Sequence, residues 1–251
     1  MVRTIVTALA CAAACVGGTS SVEAGAPPAA RTVKLDNAAY QFEYSYPAAA
    51  AAIPGLKARL DADLTQRLAK LKHDARAAQA DAKQGGFPYH PWSASQAWLV
   101  VSSPPGWLSL SATFGSYTGG AHGNYWFGAM LWDKRANKPR DPLSLFTSKQ
   151  ALGAAIRKPF CAALDRQRAA KRGAPIKRGS TDPFDECIDP THETVILGSQ
   201  SRRAFDRIGI LVPPYEAGPF SEGSYEVTVP VTAAVLAAVR PEYRSAFAAG
   251  K

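Results

Sequence analysis

Residues 107–132 read WLSLSATFGSYTGGAHGNYWFGAMLW, and this stretch decides the fold. Over residues 107–114 apolar side chains alternate with Ser and Thr, the period-two pattern of a strand with one buried face. Residues 125–132 are apolar on both alternating faces, which is typical of a strand that is covered on each side. The sequence therefore predicts two strands here, joined by a glycine-rich connection.

On the N-terminal side of this stretch, the pattern predicts one strand, one long helix and another strand. Aromatic and polar residues alternate over residues 40–46, and residues 97–102 read as a strand that Pro104-Pro105-Gly106 turns into the next one. Leucines recur at helical spacing between Pro54 and Gly85-Gly86, at positions 56, 60, 64, 68 and 71. A coiled coil or a partner-helix ligand shows the same stripe, but a helix that faces the core is the favoured interpretation.

On the C-terminal side, a second helix is predicted to begin at the capping box Thr147-x-x-Gln150 and to end at Gly173. Three more strands follow over residues 193–197, 207–212 and 225–231, before a closing helix over residues 233–240. Clusters of strands divided by helices, without regular β-α alternation, predict an α+β fold with a largely antiparallel sheet.

The N-terminus indicates export. Residues 1–24 contain one Arg, an apolar stretch too short to span a bilayer, and a small-x-small cleavage pattern at Val22-Glu23-Ala24. Cys15 lies in a poor lipobox, so a lipid anchor at Cys15 is the alternative to cleavage after Ala24. We predict a signal peptide over residues 1–24, an N-terminal strand-helix subdomain over 25–106 and a C-terminal domain over 107–251, periplasmic or secreted and, in the alternative, lipid-anchored.

The net charge of +9 favours anionic partners through long-range attraction. Export makes nucleic acid the least favoured of these partners and leaves wall polymer, envelope protein or lipid, with contact to a membrane only through the anchor at Cys15. The one dense cluster of cations, residues 166–178, is predicted to be a solvated helix end and loop.

Cys161 and Cys187 are the two cysteines outside the signal segment, and in an oxidising compartment they are predicted to form a disulfide. Closing a loop of this length contributes on the order of 3 kcal/mol by restricting the unfolded chain. A reactive or metal-bound pair is disfavoured because the C-x-x-C spacing is absent.

No motif for catalysis or for a metal emerges. The four histidines lack ligand spacing, and the acidic residues Asp182, Asp185, Glu186 and Asp189 lack the spacing and the glycine of an EF-hand. We predict no cofactor, no metal and no catalytic residues, and interpret the acidic residues as solvated loop charge.

The glycine-rich connection is the most pointed local feature. Gly119 and Gly120 permit positive φ or close backbone approach, and Tyr117, His122 and Asn124 could present hydrogen-bonding groups at the edge of a sheet. A shaped connection whose side chains satisfy the backbone is the more common interpretation, and a ligand site is the alternative. Trp107, on the Ser/Thr face of its strand, is predicted to be an exposed binding platform.

Three stretches carry a resemblance to a known family. They are residues 117–122 (YTGGAH), residues 141–146 (DPLSLF) and residues 212–223 (VPPYEAGPFSEG). In order and spacing they resemble the extracytoplasmic domain of RsiV-type anti-sigma factors, which is shared with PdaC-type peptidoglycan deacetylases. The N-terminal strand and leucine helix look like the smaller companion domain that often precedes it.

The resemblance implies an α+β fold without catalytic residues of its own. In RsiV-type proteins the domain binds lysozyme, and the binding exposes a transmembrane anti-sigma factor to cleavage. We predict neither a cytoplasmic sigma-binding segment nor a transmembrane helix in this sequence, which is itself basic. We predict a non-catalytic envelope protein that binds a wall glycan or an envelope protein through the two loops, with Tyr215 and Glu216 added to the candidate residues. The alternatives are an inhibitor of lysozyme-like hydrolases and an enzyme on wall polysaccharide that uses His122 with Glu216 or Glu222 as acid and base.

Overall fold

The computed structural model describes residues 29–250. The predicted signal peptide and Cys15 lie outside these residues. The described chain is mixed α+β, as predicted, with nine strands and four α-helices. The strands are β1 (Arg31–Asp36), β2 (Tyr40–Tyr46), β3 (Trp92–Ser102), β4 (Trp107–Tyr117), β5 (Asn124–Asp133), β6 (Lys138–Arg140), β7 (Thr194–Gly198), β8 (Arg207–Val212) and β9 (Tyr225–Pro230). The helices are α1 (Ala48–Ala51), α2 (Pro54–Gly85), α3 (Lys149–Arg172) and α4 (Ala233–Ala238).

The strands form two sheets. The larger has the order β1-β2-β3-β4-β5-β6, and only β2 and β3 pair in parallel, because the long helix α2 connects them and returns the chain in the same direction. The smaller sheet, β7-β8-β9, is antiparallel throughout. β1 was not predicted: it is an edge strand whose side chains are mostly exposed, so it carries no alternation of apolar and polar residues.

The leucine stripe of α2 is confirmed as core. Leu56, Leu60, Leu64 and Leu71 are buried against the larger sheet, and Leu68 is partly buried. The helix begins with a proline in its first turn and ends at Gly86 in the left-handed conformation, as the Gly-Gly pair predicts.

Strands β4 and β5 contribute side chains to two hydrophobic cores, one between the larger sheet and α2 and the other around the smaller sheet and α3. Leu110 and Met130 pack beneath α2, whereas Leu131 belongs to the core of the smaller sheet and α3. The prediction that β5 is covered on both faces is confirmed for residues 130–132 and not for the start of the strand, where Trp126 is 41 % exposed. β7 lies against β3, β4 and β5, so the larger sheet lies between α2 and the smaller sheet.

Trp107 also belongs to the core of the smaller sheet and α3, so the prediction that it is an exposed platform is wrong. The side chain is 9 % exposed and its ring packs against Phe205 and Tyr243 at about 6.1 Å between ring centroids. The start of the Ser/Thr face of β4, which suggested solvent, is covered by the C-terminal part of the chain, whereas Thr113 further along stays exposed.

Beside the core of the smaller sheet and α3, the predicted disulfide links Cys161 of α3 to Cys187, with Cα atoms 5.6 Å apart. α3 ends at Gly173 as predicted, but its N-cap is Ser148, whose hydroxyl accepts from Ala151 N, and not Thr147. Thr147 instead donates to the carbonyl of Ala238.

The predicted boundary between residues 106 and 107 falls in the turn between β3 and β4, which pair within one sheet. The division into a companion subdomain and a C-terminal domain stays a prediction. Within residues 29–250, no helix is long and apolar enough to cross a membrane.

Candidate functional site

The two loops named from the sequence meet. The imidazole of His122 stacks on the ring of Phe220 with centroids 4.2 Å apart and planes at 24°, and Tyr215 lies 5.6 Å from the same ring. The Tyr215 hydroxyl lies 3.4 Å from Nε2 of His122. We call His122, Tyr215 and Phe220 the ring patch.

The β4–β5 connection positions His122. Gly119 has a φ of 92°, a conformation that glycine adopts without strain. Nδ1 of His122 lies 2.8 Å from the carbonyl oxygen of Gly123. Because a carbonyl only accepts, Nδ1 is the donor in this contact, and in the neutral imidazole Nε2 accepts from the Tyr215 hydroxyl.

Tyr215 has a φ of 74°, which is a strained conformation for an aromatic residue. Its backbone N–H donates to the carbonyl of Gly218 at 3.0 Å, which closes the turn, and its side chain stays 49 % exposed. The loop therefore presents a large amphipathic ring to solvent at a cost in backbone energy.

Cations of α3 hold the second loop in place. Arg168 donates from Nε to the carbonyl of Ala217 at 2.7 Å and from Nη1 to that of Glu186 at 2.9 Å. Lys171 donates to the carbonyls of Glu222 and Ser224. Arg168 is fully buried, so the prediction of a solvated cluster over residues 166–178 is wrong for this residue, because the loop folds back over the helix end.

The two carboxylates proposed as partners of His122 are placed differently. Glu222 accepts from Arg172 Nε at 2.8 Å and from the Tyr225 hydroxyl, and it makes no hydrogen bond to His122. Burial opposes its ionisation, yet the hydrogen bonds from Arg172 and Tyr225 lower its pKa below the usual range. Glu216 is exposed beside Glu193 and makes no hydrogen bond to His122 among the described residues.

Glu193 was missed by the sequence reasoning, which placed it at the start of a strand. Burial, with the nearby charges of Glu216 and Asp189, raises the pKa of Glu193 to about 7. The charges of Glu216 and Asp189 both act on Glu193, and Glu216 directly follows Tyr215 in the chain. Nothing in the sequence spacing announces this, because the three residues come from two separate loops.

The remaining candidates are distributed as follows. Tyr117 and Gly120 belong to the same connection as His122, and Asn124 Oδ1 accepts from the backbone N–H of Tyr125 at 2.8 Å. Trp107 lies at the opposite end of β4 from Tyr117, so it does not join the ring patch. Phe220 was not singled out, although it lies in the quoted stretch 212–223.

The acidic segment is structural. Asp185 pairs with Arg172 at 2.8 Å, Glu186 accepts from the backbone N–H of Gly179, and Asp182 caps a short 3-10 helix. Across residues 29–250, no three His, Cys, Asp or Glu side chains gather in a way that could hold a metal ion.

The protein is thus an α+β protein in which the β4–β5 connection and the loop before β9 form a solvent-facing aromatic patch. Residues 33–125 match the family model of the deacetylase PdaC, which covers β1 to the start of β5. This match supports the PdaC part of the resemblance, and it falls on the N-terminal half rather than on the stretch around residues 212–223. The RsiV-type part stays a prediction.

Two solved structures are similar to the chain. A member of the DUF3298 family from Bacteroides fragilis NCTC 9343 superposes with a TM-score of 0.50 at 15% identity, covering 80% of this chain and 90% of that one. A DUF3298 family protein from Pseudomonas aeruginosa PAO1 has a TM-score of 0.49 at 15% identity, covering 90% of this chain and 99% of that one. At such identity the first likeness shows the fold alone. No curated protein matches the sequence.

Proposed function

We propose that the chain is an exported cell-envelope protein that binds a wall glycan through the ring patch without catalysing a reaction. The observation that carries the proposal is the convergence of the two predicted loops, which stacks His122 on Phe220 and leaves Tyr215 half exposed. The signal pattern of residues 1–24 and the disulfide support an oxidising compartment.

The chemistry of the patch suits a sugar. Aromatic faces offer flat apolar area to the C–H face of a sugar ring, while hydroxyl and imidazole edges form hydrogen bonds with its hydroxyls. The strained φ of Tyr215 costs backbone energy. Arg168 and Lys171 of α3 hold the loop in this conformation through hydrogen bonds to its carbonyls. Such strain concentrates at ligand sites, which supports a role in binding.

The test is retention of residues 25–251, with the disulfide formed, on insoluble peptidoglycan in moderate salt. We expect retention that survives salt, because purely electrostatic attraction is screened. Tyr215→Gly should lower retention at least about tenfold, equivalent to about 1.4 kcal/mol, by removing the exposed ring. The matched control is Phe87→Ala, which removes a ring that is 57 % exposed and has no ring contact with the patch. Equal retention of Tyr215→Gly and wild type contradicts the proposal.

His122 separates binding from catalysis. His122→Gln keeps a hydrogen-bonding group, so we expect binding to be partly preserved. An enzyme that uses His122 as acid or base would lose turnover of wall polysaccharide completely. Release of soluble fragments by the wild type, abolished in His122→Gln, is the outcome that favours catalysis.

A second candidate is a binder of lysozyme-like hydrolases. It is favoured by the exposed carboxylates of Asp189 and Glu216, whose charges both act on Glu193, because a basic partner needs a locally acidic surface on this basic chain. A complex with lysozyme on a sizing column, weakened by Glu216→Gln and by salt, supports this candidate. Elution of the two proteins as separate peaks at micromolar concentration contradicts this second candidate.

A further inference from the structure

An open groove of about 760 Å³ lies between α2 and the face of the larger sheet. Asp63 and Arg67 of the helix line one side, and Trp98, Phe114 and Met130 of the sheet line the other. The groove is separate from the ring patch because the side chains of β5 alternate. Tyr125 contacts Phe220 of the patch, whereas the next residue, Trp126, stacks on Phe114 of the groove.

Gln96 lines this groove and has no partner. The residue is 2 % exposed, and neither its Nε2 nor its Oε1 atom makes a hydrogen bond within residues 29–250. The polar groups around it are satisfied: the indole N–H of Trp98 donates to the Tyr44 hydroxyl, and that hydroxyl donates to Asp63. A buried primary amide with both its donor and its acceptor unused is costly, which calls for an explanation.

We propose that the groove binds a secondary amide, as an acetamido sugar carries it, and that Gln96 pairs with it. Nε2 of Gln96 would donate to the amide carbonyl, and Oε1 would accept from the amide N–H, so that one ligand group satisfies both atoms. The apolar walls of Trp98 and Met130 suit the methyl group of an acetamido substituent.

Access to Gln96 runs past Arg67. Phe114 is the register partner of Gln96 in the neighbouring strand, and the Arg67 guanidinium lies 4.9 Å from the centre of its ring. Arg67 is exposed, and within residues 29–250 its ion pair is with Asp63 in the preceding turn of its own helix, so its side chain can move at small cost. The ligand amide displaces Arg67 from Phe114 and reaches the floor of the groove.

The test uses three probes: a trimer of N-acetylglucosamine, cellotriose, and N-acetylalanine methylamide. The trimer and cellotriose differ in the acetamido group, and the third probe carries secondary amides without a sugar. Isothermal titration gives the affinities, and the side-chain NH₂ resonances of Gln96 in a ¹⁵N correlation spectrum report contact. We expect the trimer to bind at least tenfold more tightly than cellotriose and to shift these resonances.

Gln96→Leu should lose at least tenfold in affinity for the trimer while its Tm is unchanged or higher, because an unpaired buried amide is replaced by an apolar group of similar shape. Gln41→Leu, an exposed glutamine of the same sheet outside the groove, should keep wild-type affinity. Binding of N-acetylalanine methylamide with the same dependence on Gln96, without binding of the trimer, assigns the amide to a peptide rather than a sugar. Unchanged affinity in Gln96→Leu overturns the proposal, and retention on peptidoglycan through the ring patch is unaffected by that result.

Discussion

The two halves of the molecule are held together by different means. In the first, residues 31–140, the ion pairs of α2 are largely exposed: Lys57–Asp61 and Lys70–Asp74 join neighbouring turns, and Asp61 also pairs with Arg31 of β1. In the second, residues 142–250, a disulfide and the fully buried Arg168 cross-link α3 to distant loops. Exposed i,i+4 pairs contribute little to stability, so apolar packing holds the first half, whereas covalent and polar cross-links shape the loops of the second.

Among the variants that test this difference, removal of the disulfide should cause the largest loss of stability. The double variant Cys161→Ser/Cys187→Ser should lower the free energy of unfolding by about 3 kcal/mol, because the unfolded chain regains the freedom of the closed loop. Urea unfolding measures the loss. Hydrogen exchange should show that amides of α3 and β9 lose more protection than those of α2. Equal loss of protection in both halves would break the comparison, since it means that they unfold as one unit.

The buried arginine is the next largest test. Arg168→Ala should lower the free energy of unfolding by about 2 kcal/mol, because the carbonyls of Ala217 and Glu186 lose their donor in a buried position. The matched control is Arg166→Ala, two residues away on the same helix and exposed, which should change stability by less than about 0.5 kcal/mol. Similar losses in both variants would mean that the clamp on the loop contributes nothing specific.

The same contrast explains what could be predicted from the sequence. The leucine face of α2, the strands β4 and β5 and the glycines that end the helices follow from local patterns, and the structure confirms them. They follow from periodicity and from the φ that Gly86 and Gly173 adopt, which neighbouring residues alone determine. The disulfide was also predictable, because only two cysteines lie outside the predicted signal peptide.

The predictions that were wrong or missing depend on contacts between residues that are distant in the sequence. Trp107 follows the polar face of its strand, yet a C-terminal segment more than a hundred residues later covers it. Arg168 looks like any cation at a helix end, and only the returning loop around Ala217 buries it. The pairing of His122 with Phe220 has the same origin: the sequence marked both loops as notable, but no local pattern states that they touch.

Glu193 gives a pH-dependent test in the second half. Its pKa in the folded protein is about 7, against an ordinary value of 4.5, so the folded state binds the proton more tightly than the unfolded state does. The stabilisation is complete below about pH 4.5 and is lost as pH rises through 7. Allowing for solvent screening at a half-buried site, we expect a loss of about 1 kcal/mol between pH 5 and pH 8.

Glu193→Gln should remove that part of the pH dependence, because its side chain does not ionise. Urea unfolding at pH 5 and pH 8 should give a smaller decrease in the variant than in the wild type. The exposed Glu226→Gln, on β9 of the same sheet, is the control and should leave the decrease unchanged. Parallel pH profiles for wild type and Glu193→Gln would show that burial and the neighbouring charges do not raise the pKa of this carboxyl.

The smallest expected effect belongs to Tyr215, where stability and binding should separate. Tyr215→Gly relieves the strain of a φ of 74° but adds chain entropy and loses the ring contact with Phe220, so the free energy of unfolding should change by less than about 0.5 kcal/mol. Tyr215→Ala loses the same contact and keeps the strain, so it should be less stable than the glycine variant by about 1 kcal/mol. Equal stability of the two variants would show that the backbone there is not strained. A glycine variant that is as stable as the wild type yet fails to bind peptidoglycan would show that the loop keeps its strained tyrosine for recognition and not for folding.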